Sequence, residues 1–203
     1  MKYSAEAMSN RRKNLKLCSI NICGWSERSK ITLDKYVNTE KFDIVAVQET
    51  NTDDQEKLGL TNMKVLSDSN KSRNKGTALY VNKNLAFSRL KELNEISKDI
   101  DASWGLGVIN NKRYILGSVY VKLNHSNAIE EVIQMLNKAY SLIKKLRAVG
   151  IILTGDFNAR HESWGDARSN IYGNKLVEKL DTSRFSITTA GTNFPSSKWF
   201  QFH

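Results

Sequence analysis

Three apolar segments of the chain each end in polar residues of the kind that act on phosphate groups. Asn21 follows LKLCSI, Gln48-Glu49-Thr50 follows DIVAV, and Gly155-Asp156-Phe157-Asn158 follows IILT. In layered α/β proteins ligands gather at the carboxyl ends of strands, so the three ends are expected to converge on one site. One acid at a strand end is more often a turn cap or a solvated side chain, and the combination of three is what indicates a site.

The residue types at these ends suit metal-assisted attack on a phosphate. Mg²⁺ prefers oxygen ligands and is commonly held by one or two carboxylates together with the phosphate of the substrate, and Mn²⁺ accepts similar ligands. We therefore expect Glu49 to be the metal ligand and Asp156 to orient or deprotonate the attacking water. Asn21 and Asn158 have neutral amide donors, which can contact a phosphoryl oxygen without competing for the metal.

A layered α/β framework is predicted to position these residues. Continuous or alternating apolar segments predict strands at 15–22, 43–47, 76–81, 104–109, 113–121 and 151–154. Helices are predicted over 26–40, with Ser26 as N-cap, over 127–146, with Asn127 and Glu130 as a capping pair, and over 174–180. The dipeptide Asn110-Asn111 is a hairpin signal.

The composition is that of one compact domain. The chain has 203 residues with 40% hydrophobic and 26% charged residues, and its single proline, Pro195, excludes a proline-rich linker. We assign residues 1–14 to a basic, disordered N-terminal arm and residues 15–203 to the domain. Cys18 and Cys23 have neither a zinc-site nor a disulfide-framework spacing, and no apolar run is long enough for a secretion signal or a membrane span. An intracellular location and no membrane partner are expected.

The charge balance indicates a polyanionic partner. Lys and Arg number 31 against 21 acids, giving a net charge of +10, so nucleic acid is the first candidate and an anionic membrane surface the second. Solubility alone remains an alternative explanation of the excess charge.

Five motifs along the chain resemble one known superfamily. They are N-I-x-G-W at 21–25, V-Q-E-T at 47–50, KGTALYV at 75–81, GSVYV at 117–121 and LTGDFNARHESWGD at 153–166. In this order they resemble the endonuclease/exonuclease/phosphatase superfamily, and most of all the apurinic-type endonuclease domain of non-LTR retrotransposons. The resemblance extends over about 15–199, and GDFNARHxxWGD is its most specific part.

The resemblance implies a DNase I-like α/β fold, a four-layer sandwich of two mixed β-sheets flanked by helices. It further implies Mg²⁺-dependent nicking of DNA by phosphodiester hydrolysis, with the rest of a retrotransposon polyprotein, including reverse transcriptase, as a partner. A nuclear location follows from such a role.

The resemblance also assigns roles to five residues, which are matched one by one. Glu49 matches the metal-binding glutamate and Asn21 the asparagine of the first strand. Asp156 and Asn158 match the catalytic pair of G-D-x-N, in which the aspartate handles the nucleophilic water. Tyr120 matches a tyrosine whose hydroxyl helps to place the scissile phosphate, although by itself it would be interpreted as a core aromatic.

The chain departs from the superfamily pattern near its end. The S-x-I-D segment and the terminal S-D-H, whose aspartate and histidine form the catalytic base pair, have no match within the 203 residues. Impaired activity and a fold lacking its last strands, with an unpaired sheet edge, are therefore expected. Two other functions stay open: a catalytically inactive nucleic-acid-binding remnant, and a phosphoesterase acting on small phosphoesters.

Overall fold

The computed structural model describes residues 15–52, 54, 56–68, 76–93, 100–122, 127–189 and 198–202. Over these residues two mixed β-sheets stack face to face, and α-helices cover the outer face of each sheet. The predicted four-layer α/β sandwich is therefore confirmed. The N-terminal arm predicted over 1–14 lies outside the described residues.

The first sheet, sheet A, has four strands among the described residues, in the order β1-β2-β4-β3. Their bounds are β1 Leu17–Asn21, β2 Ile44–Gln48, β3 Met63–Asp68 and β4 Thr77–Asn82. β1 and β2 are parallel, whereas β4 is antiparallel to both β2 and β3. All five residues of β2 are buried, because this strand has neighbours on both sides and layers on both faces, which explains its uninterrupted apolar run.

The second sheet, sheet B, has six strands in the described residues, in the order β5-β6-β7-β8-β10-β9. Their bounds are β5 Phe87–Arg89, β6 Ile100–Ile109, β7 Lys112–Val121, β8 Ala148–Asp156, β9 Phe185–Thr189 and β10 Lys198–Phe202. β7 and β8 are parallel, and the other neighbouring pairs are antiparallel. The predicted hairpin joins β6 to β7, and Asn110 and Asn111 have φ of 49° and 60°, as a type I′ turn requires.

The α-helices of the described residues are α1 Glu27–Glu40, α2 Ala128–Ser141, α3 Ile143–Leu146 and α4 Ile171–Asp181. α1 begins as predicted with Ser26 as N-cap: the Ser26 hydroxyl accepts a hydrogen bond from the Ser29 N–H, and the Ser29 hydroxyl accepts one from the Ser26 N–H. This reciprocal capping box satisfies two donors at the start of the helix. No helix in the described residues is long and apolar enough to cross a membrane.

The other helix predictions need correction. The segment predicted as one helix over 127–146 is divided at Leu142 into α2 and α3. The predicted cap at Asn127 is wrong, because its side chain makes no cap hydrogen bond and its backbone (φ −107°, ψ 9°) is not in the extended conformation of most N-caps. The last helix begins at Ile171 rather than at 174, since Asn170 caps it.

Three apolar layers hold the sandwich together. Leu33 and Val37 of α1 pack on the outer face of sheet A, against Val45, Val47 and Tyr80. Between the sheets Ile44, Ala46 and Leu79 of sheet A meet Ile109 and Leu116 of sheet B. The outer face of sheet B, with Trp104 and Ile115, is covered by Ile129 and Leu136 of α2 and Leu176 of α4. Burial of this area supplies the main driving force for folding.

Candidate active site

The three polar strand ends meet at one end of the sandwich. Asn21 is the last residue of β1, Glu49 follows β2, and Asp156 is the last residue of β8. The Asn21 amide nitrogen donates to Glu49 Oε1 at 3.0 Å and to Asp156 Oδ2 at 3.0 Å. One amide thus bridges a carboxylate of sheet A and a carboxylate of sheet B.

The backbone at Glu49 turns sharply as it leaves β2. Glu49 has a φ of 56°, a left-handed conformation that is uncommon for residues other than glycine, asparagine and aspartate. Backbone hydrogen bonds on both sides hold the turn: Gly24 N–H donates to Glu49 O at 2.8 Å, and Thr50 N–H donates to Gly76 O at 3.2 Å. Such a backbone costs about 1–3 kcal/mol and is found most often where function fixes a side-chain direction.

A second tight turn positions Asp156 and Asn158. The Asp156 carboxylate accepts the Asn158 N–H at 3.0 Å through Oδ1, and Asn158 has a φ of 49°. The Asn158 amide nitrogen donates to Val121 O at 2.7 Å, which fixes the end of β7 beside this turn. At Gly155 any Cβ would clash with the backbone of Val119, so this position requires glycine.

Tyr120 has an acid as its cross-strand partner on each side in sheet B. It pairs with Asp156 on β8 and with Asp101 on β6, and only 2% of its surface is exposed. Asp101 is also buried, and its Oδ2 accepts the N–H of Gly76, the residue before β4, at 3.1 Å. The structure therefore brings all five predicted site residues to one end of the molecule, with Tyr120 packed inside it.

A buried polar network beneath the site connects the two sheets. The Gln48 amide nitrogen donates to Ser118 Oγ at 3.1 Å, and Gln48 Oε1 accepts the Ser19 hydroxyl at 3.3 Å. Nearby, the hydroxyls of Thr77 and Ser103 lie 2.8 Å apart across the same interface. Buried groups of this kind must be paired, so they fix the register between sheet A, which supplies Glu49, and sheet B, which supplies Asp156.

Asn170 fixes the segment that follows Asp156, a role that the sequence did not predict. Its amide nitrogen donates to Asn158 O at 2.8 Å, and its Oδ1 accepts the N–H groups of Arg160 at 3.0 Å and Gly173 at 2.8 Å. Gly173 allows the first turn of α4 to approach, because a Cβ there would clash with the Arg160 backbone. An asparagine just before a helical pattern is the signal that could have found this residue.

Replacing Asn170 separates two roles of its side chain. Asn170→Ala removes all three bonds, and we expect the free energy of unfolding to fall by about 1–2 kcal/mol. Asn170→Asp keeps the bonds accepted from the Gly173 N–H, which caps the helix, and from the Arg160 N–H, but places a carboxylate oxygen against Asn158 O. We expect Asn170→Asp to be destabilised less than Asn170→Ala in a denaturant titration, and we expect any activity of the site to fall in both variants. Equal activity of Asn170→Asp and the unaltered chain would contradict a positioning role.

The two cysteines differ in accessibility. Cys18 is buried, which raises the pKa of its thiol to about 11, whereas Cys23 is exposed. Cys23 N–H donates to Asn21 Oδ1 at 3.0 Å, and its Sγ lies 3.7 Å from the same oxygen. Cys23 also lines a groove of about 790 Å³ between β1 and α1, together with Trp25 and Tyr36.

A thiol reagent should therefore distinguish them. With a maleimide near neutral pH, we expect mass spectrometry to find one adduct, on Cys23, because the thiolate is the reactive form and Cys18 is buried and protonated. The adduct beside Asn21 should block the site, whereas Cys23→Ser should be resistant to the reagent. Modification of Cys18 in the folded chain would contradict this arrangement.

The donor set at the site fits a hard divalent cation. Among the described residues no group of three or more His, Cys, Asp or Glu side chains is placed to hold a metal ion. The site instead contains two half-buried carboxylates, Glu49 and Asp156, and both can act as oxygen ligands. Mg²⁺ is usually held in this way, by one or two carboxylates plus substrate phosphate and water.

Comparison with known proteins agrees with the fold. A family model described as the Endonuclease/Exonuclease/phosphatase family matches residues 18–203. The endonuclease domain of TRAS1, a telomere-specific non-LTR retrotransposon, has a similar structure, with a TM-score of 0.70, 18% identity, and coverage of 92% of this chain and 83% of that chain. A search of curated proteins gives no significant match.

Two further solved structures show the range of proteins with this architecture. The mannosyl-6-phosphatase Bt3783 of Bacteroides thetaiotaomicron has a TM-score of 0.64 at 15% identity, over 93% of this chain and 85% of that one. TDP2 from C. elegans has a TM-score of 0.56 at 17% identity, over 98% of this chain and 71% of that one. At these identities the likeness concerns the fold.

Proposed function

The chain belongs to the endonuclease/exonuclease/phosphatase family, and from this premise we propose that it is a metal-dependent DNA endonuclease that nicks one strand by phosphodiester hydrolysis. The observation that carries the proposal is the Asn21 amide, which bridges Glu49 and Asp156 from two different sheets. Through this bridge the two acids, one from each sheet, lie close together at one end of the sandwich.

Each residue then has a separate role in hydrolysis. Asp156 orients the attacking water and accepts its proton: the Asn158 N–H holds Oδ1, the Asn21 amide holds Oδ2, and each carboxylate oxygen keeps a further lone pair for the water. Asn21 is an uncharged hydrogen-bond donor that can stabilise the negative charge developing on a phosphoryl oxygen in the transition state. Asn158 supports substrate oxygens, and the Tyr120 hydroxyl helps to place the scissile phosphate.

Glu49 is the proposed ligand of Mg²⁺, for which Mn²⁺ can substitute. When bound, the ion supplies charge neutralisation at the phosphate that is attacked. The left-handed backbone at Glu49 and the hydrogen bonds that hold it keep this carboxylate at the site. A carboxylate that is already held in position lowers the reorganisation energy of the reaction, because its side chain need not be rearranged during the chemical step.

DNA is the proposed substrate because the chain carries a net charge of +10. By analogy with the TRAS1 domain, the proposed setting is a retrotransposon polyprotein with a reverse transcriptase, acting in the nucleus. A phosphatase acting on small phosphoesters is the second candidate, favoured by the fold shared with Bt3783. A nucleic-acid-binding protein without activity is the third.

One assay separates these candidates. The chain is incubated with supercoiled plasmid and, in parallel, with small phosphomonoesters, with Mg²⁺ or with a chelator. We expect Mg²⁺-dependent conversion of plasmid to the nicked circle and no phosphate release from the monoesters. Phosphate release without nicking would favour the phosphatase, and salt-sensitive DNA binding without nicking would overturn the enzyme in favour of a binding protein.

A further inference from the structure

Positive charge is concentrated at the end of the sandwich opposite the candidate active site. The amino ends of β7 and β8 and the end of α3 meet there, and five exposed cations project from them: Lys112, Arg113, Lys144, Lys145 and Arg147. We call these five residues the basic end. The adjoining end of sheet A, formed by the amino ends of β1 and β2 and the carboxyl end of the antiparallel β4, adds Lys16, Lys41 and Lys83.

Few acids offset this charge in the described residues. Glu92 lies 3.8 Å from Lys145, and Glu40 lies 3.8 Å from Lys16, both as exposed pairs that contribute little. Asp43 is buried and accepts the Lys16 N–H. The described segments around the site are closer to balance, since they carry the acids Glu27, Glu49, Asp101, Asp156, Glu162 and Asp166 and the cations Arg28, Lys122, Arg160 and Arg168.

The backbone that carries the basic end is well defined. Asn110 and Asn111 close the β6–β7 hairpin immediately before Lys112, and Arg113 pairs with Ala148 on β8. The Arg113 guanidinium donates to Leu146 O at 3.1 Å, which joins the hairpin to the end of α3. Arg147 follows with a φ of 53° as the C-cap of α3. Cations from three segments are thus held together on a fixed surface.

The basic end is far from the candidate active site. Arg113 and Tyr120 are seven positions apart on β7, which at about 3.3 Å per residue is roughly 23 Å along the strand. The two surfaces also face away from each other, because one lies at the carboxyl ends and the other at the amino ends of the same parallel strands.

We propose that the basic end is a second DNA-binding surface, which contacts the phosphates of a DNA segment other than the one at the candidate active site. This inference rests on the proposed DNA substrate. Clustered Lys and Arg side chains bind the phosphate backbone without reading sequence, and they release counterions. A second contact of this kind keeps the enzyme near its substrate and raises the effective concentration of DNA at the site.

The test neutralises three members of the basic end, Lys112→Gln/Lys144→Gln/Arg147→Gln, and leaves Arg113 in place because of its bond to α3. Binding of the whole chain to a fluorescent DNA duplex is measured as a function of salt. Each lost phosphate contact removes about 0.9 from the log–log slope, so we expect the slope to fall by about 2–3. The nicking rate at saturating DNA should stay unchanged.

A matched variant, Lys30→Gln/Lys35→Gln/Lys57→Gln, removes three cations from α1 and the loop after β2. An unchanged salt slope in the basic-end variant would overturn the proposal, because the basic end would then make no phosphate contacts. An equal fall of the slope in both variants would also overturn it, because the net charge of the chain, and not this surface, would then determine DNA binding. If the unaltered chain binds with the expected slopes but does not nick plasmid, the nuclease function fails while the second surface is supported.

Discussion

Asp156→Asn is expected to lower the rate of DNA nicking by about 10²–10⁴-fold, the usual contribution of a positioned acid or base. The substitution keeps an oxygen for the Asn158 N–H but places an NH₂ group opposite the Asn21 amide nitrogen, where Asp156 Oδ2 accepts a bond of 3.0 Å. The carboxylate that orients water is lost, and the shape of the side chain is retained. Nicking of supercoiled plasmid at saturating Mg²⁺ measures the effect.

A matched control shows whether the loss is local. Asp181→Asn makes the same chemical change on an exposed residue at the end of α4 and should nick like the unaltered chain. Thermal unfolding of Asp156→Asn should stay cooperative, and its free energy of unfolding should fall only by the loss of one hydrogen bond, about 0.5–1.5 kcal/mol. A rate within a fewfold of the unaltered enzyme would show that Asp156 serves only as the cap of its own turn.

Glu49→Gln is expected to weaken the binding of Mg²⁺ rather than to impair activation of the attacking water. Glutamine adopts a φ of 56° about as readily as glutamate, and its amide can still contact Asn21, so the fold should be preserved. Even a residue outside the ligand shell commonly changes metal affinity by 10–100-fold, so loss of the ligand should raise the half-saturating Mg²⁺ concentration by at least about 100-fold. A titration of nicking rate against Mg²⁺ measures this shift.

The control for this titration is Glu178→Gln, on the exposed face of α4. It should leave the Mg²⁺ requirement unchanged. If Glu49→Gln lowered the maximal rate but kept the same half-saturating Mg²⁺ concentration, Glu49 would take part in catalysis without binding the ion.

The position of the site was predictable because it depends on local features of the chain. An apolar run followed by Asn21, Glu49 or Asp156 identifies a buried strand and its polar carboxyl end. Parallel pairing of β1 with β2 and of β7 with β8 then brings those ends to the same end of the sandwich. The alternation of strands and helices indicated a layered α/β fold, whereas the four layers were implied by the superfamily resemblance.

Other parts of the site depend on contacts between distant segments, which no local pattern specifies. Gln48 is one residue from Glu49, but its role comes from Ser118 on the other sheet. Asn170 serves the site because the start of α4 folds back onto Asn158 and Arg160. The edge strands β3, β5 and β9 were also not predicted, because short strands at a sheet edge carry a weak apolar pattern. β10, which lies between β8 and β9, was not predicted either.

The distribution of site residues over two sheets has a consequence for stability. Glu49 belongs to sheet A and Asp156 to sheet B, so their separation depends on the apolar layer between the sheets and on the hydrogen bonds of Gln48 and Thr77. Substitutions in that layer should therefore reduce activity before they unfold the chain, because a small displacement of reacting groups is costly.

The most direct test of a single shared site is the double variant Glu49→Gln/Asp156→Asn in the plasmid-nicking assay, beside both single variants. Groups that act in one catalytic unit give strongly non-additive losses. We predict that the double variant nicks about as slowly as the slower single variant. Losses that multiply, so that the double variant is slower by the product of the two single effects, would contradict the account.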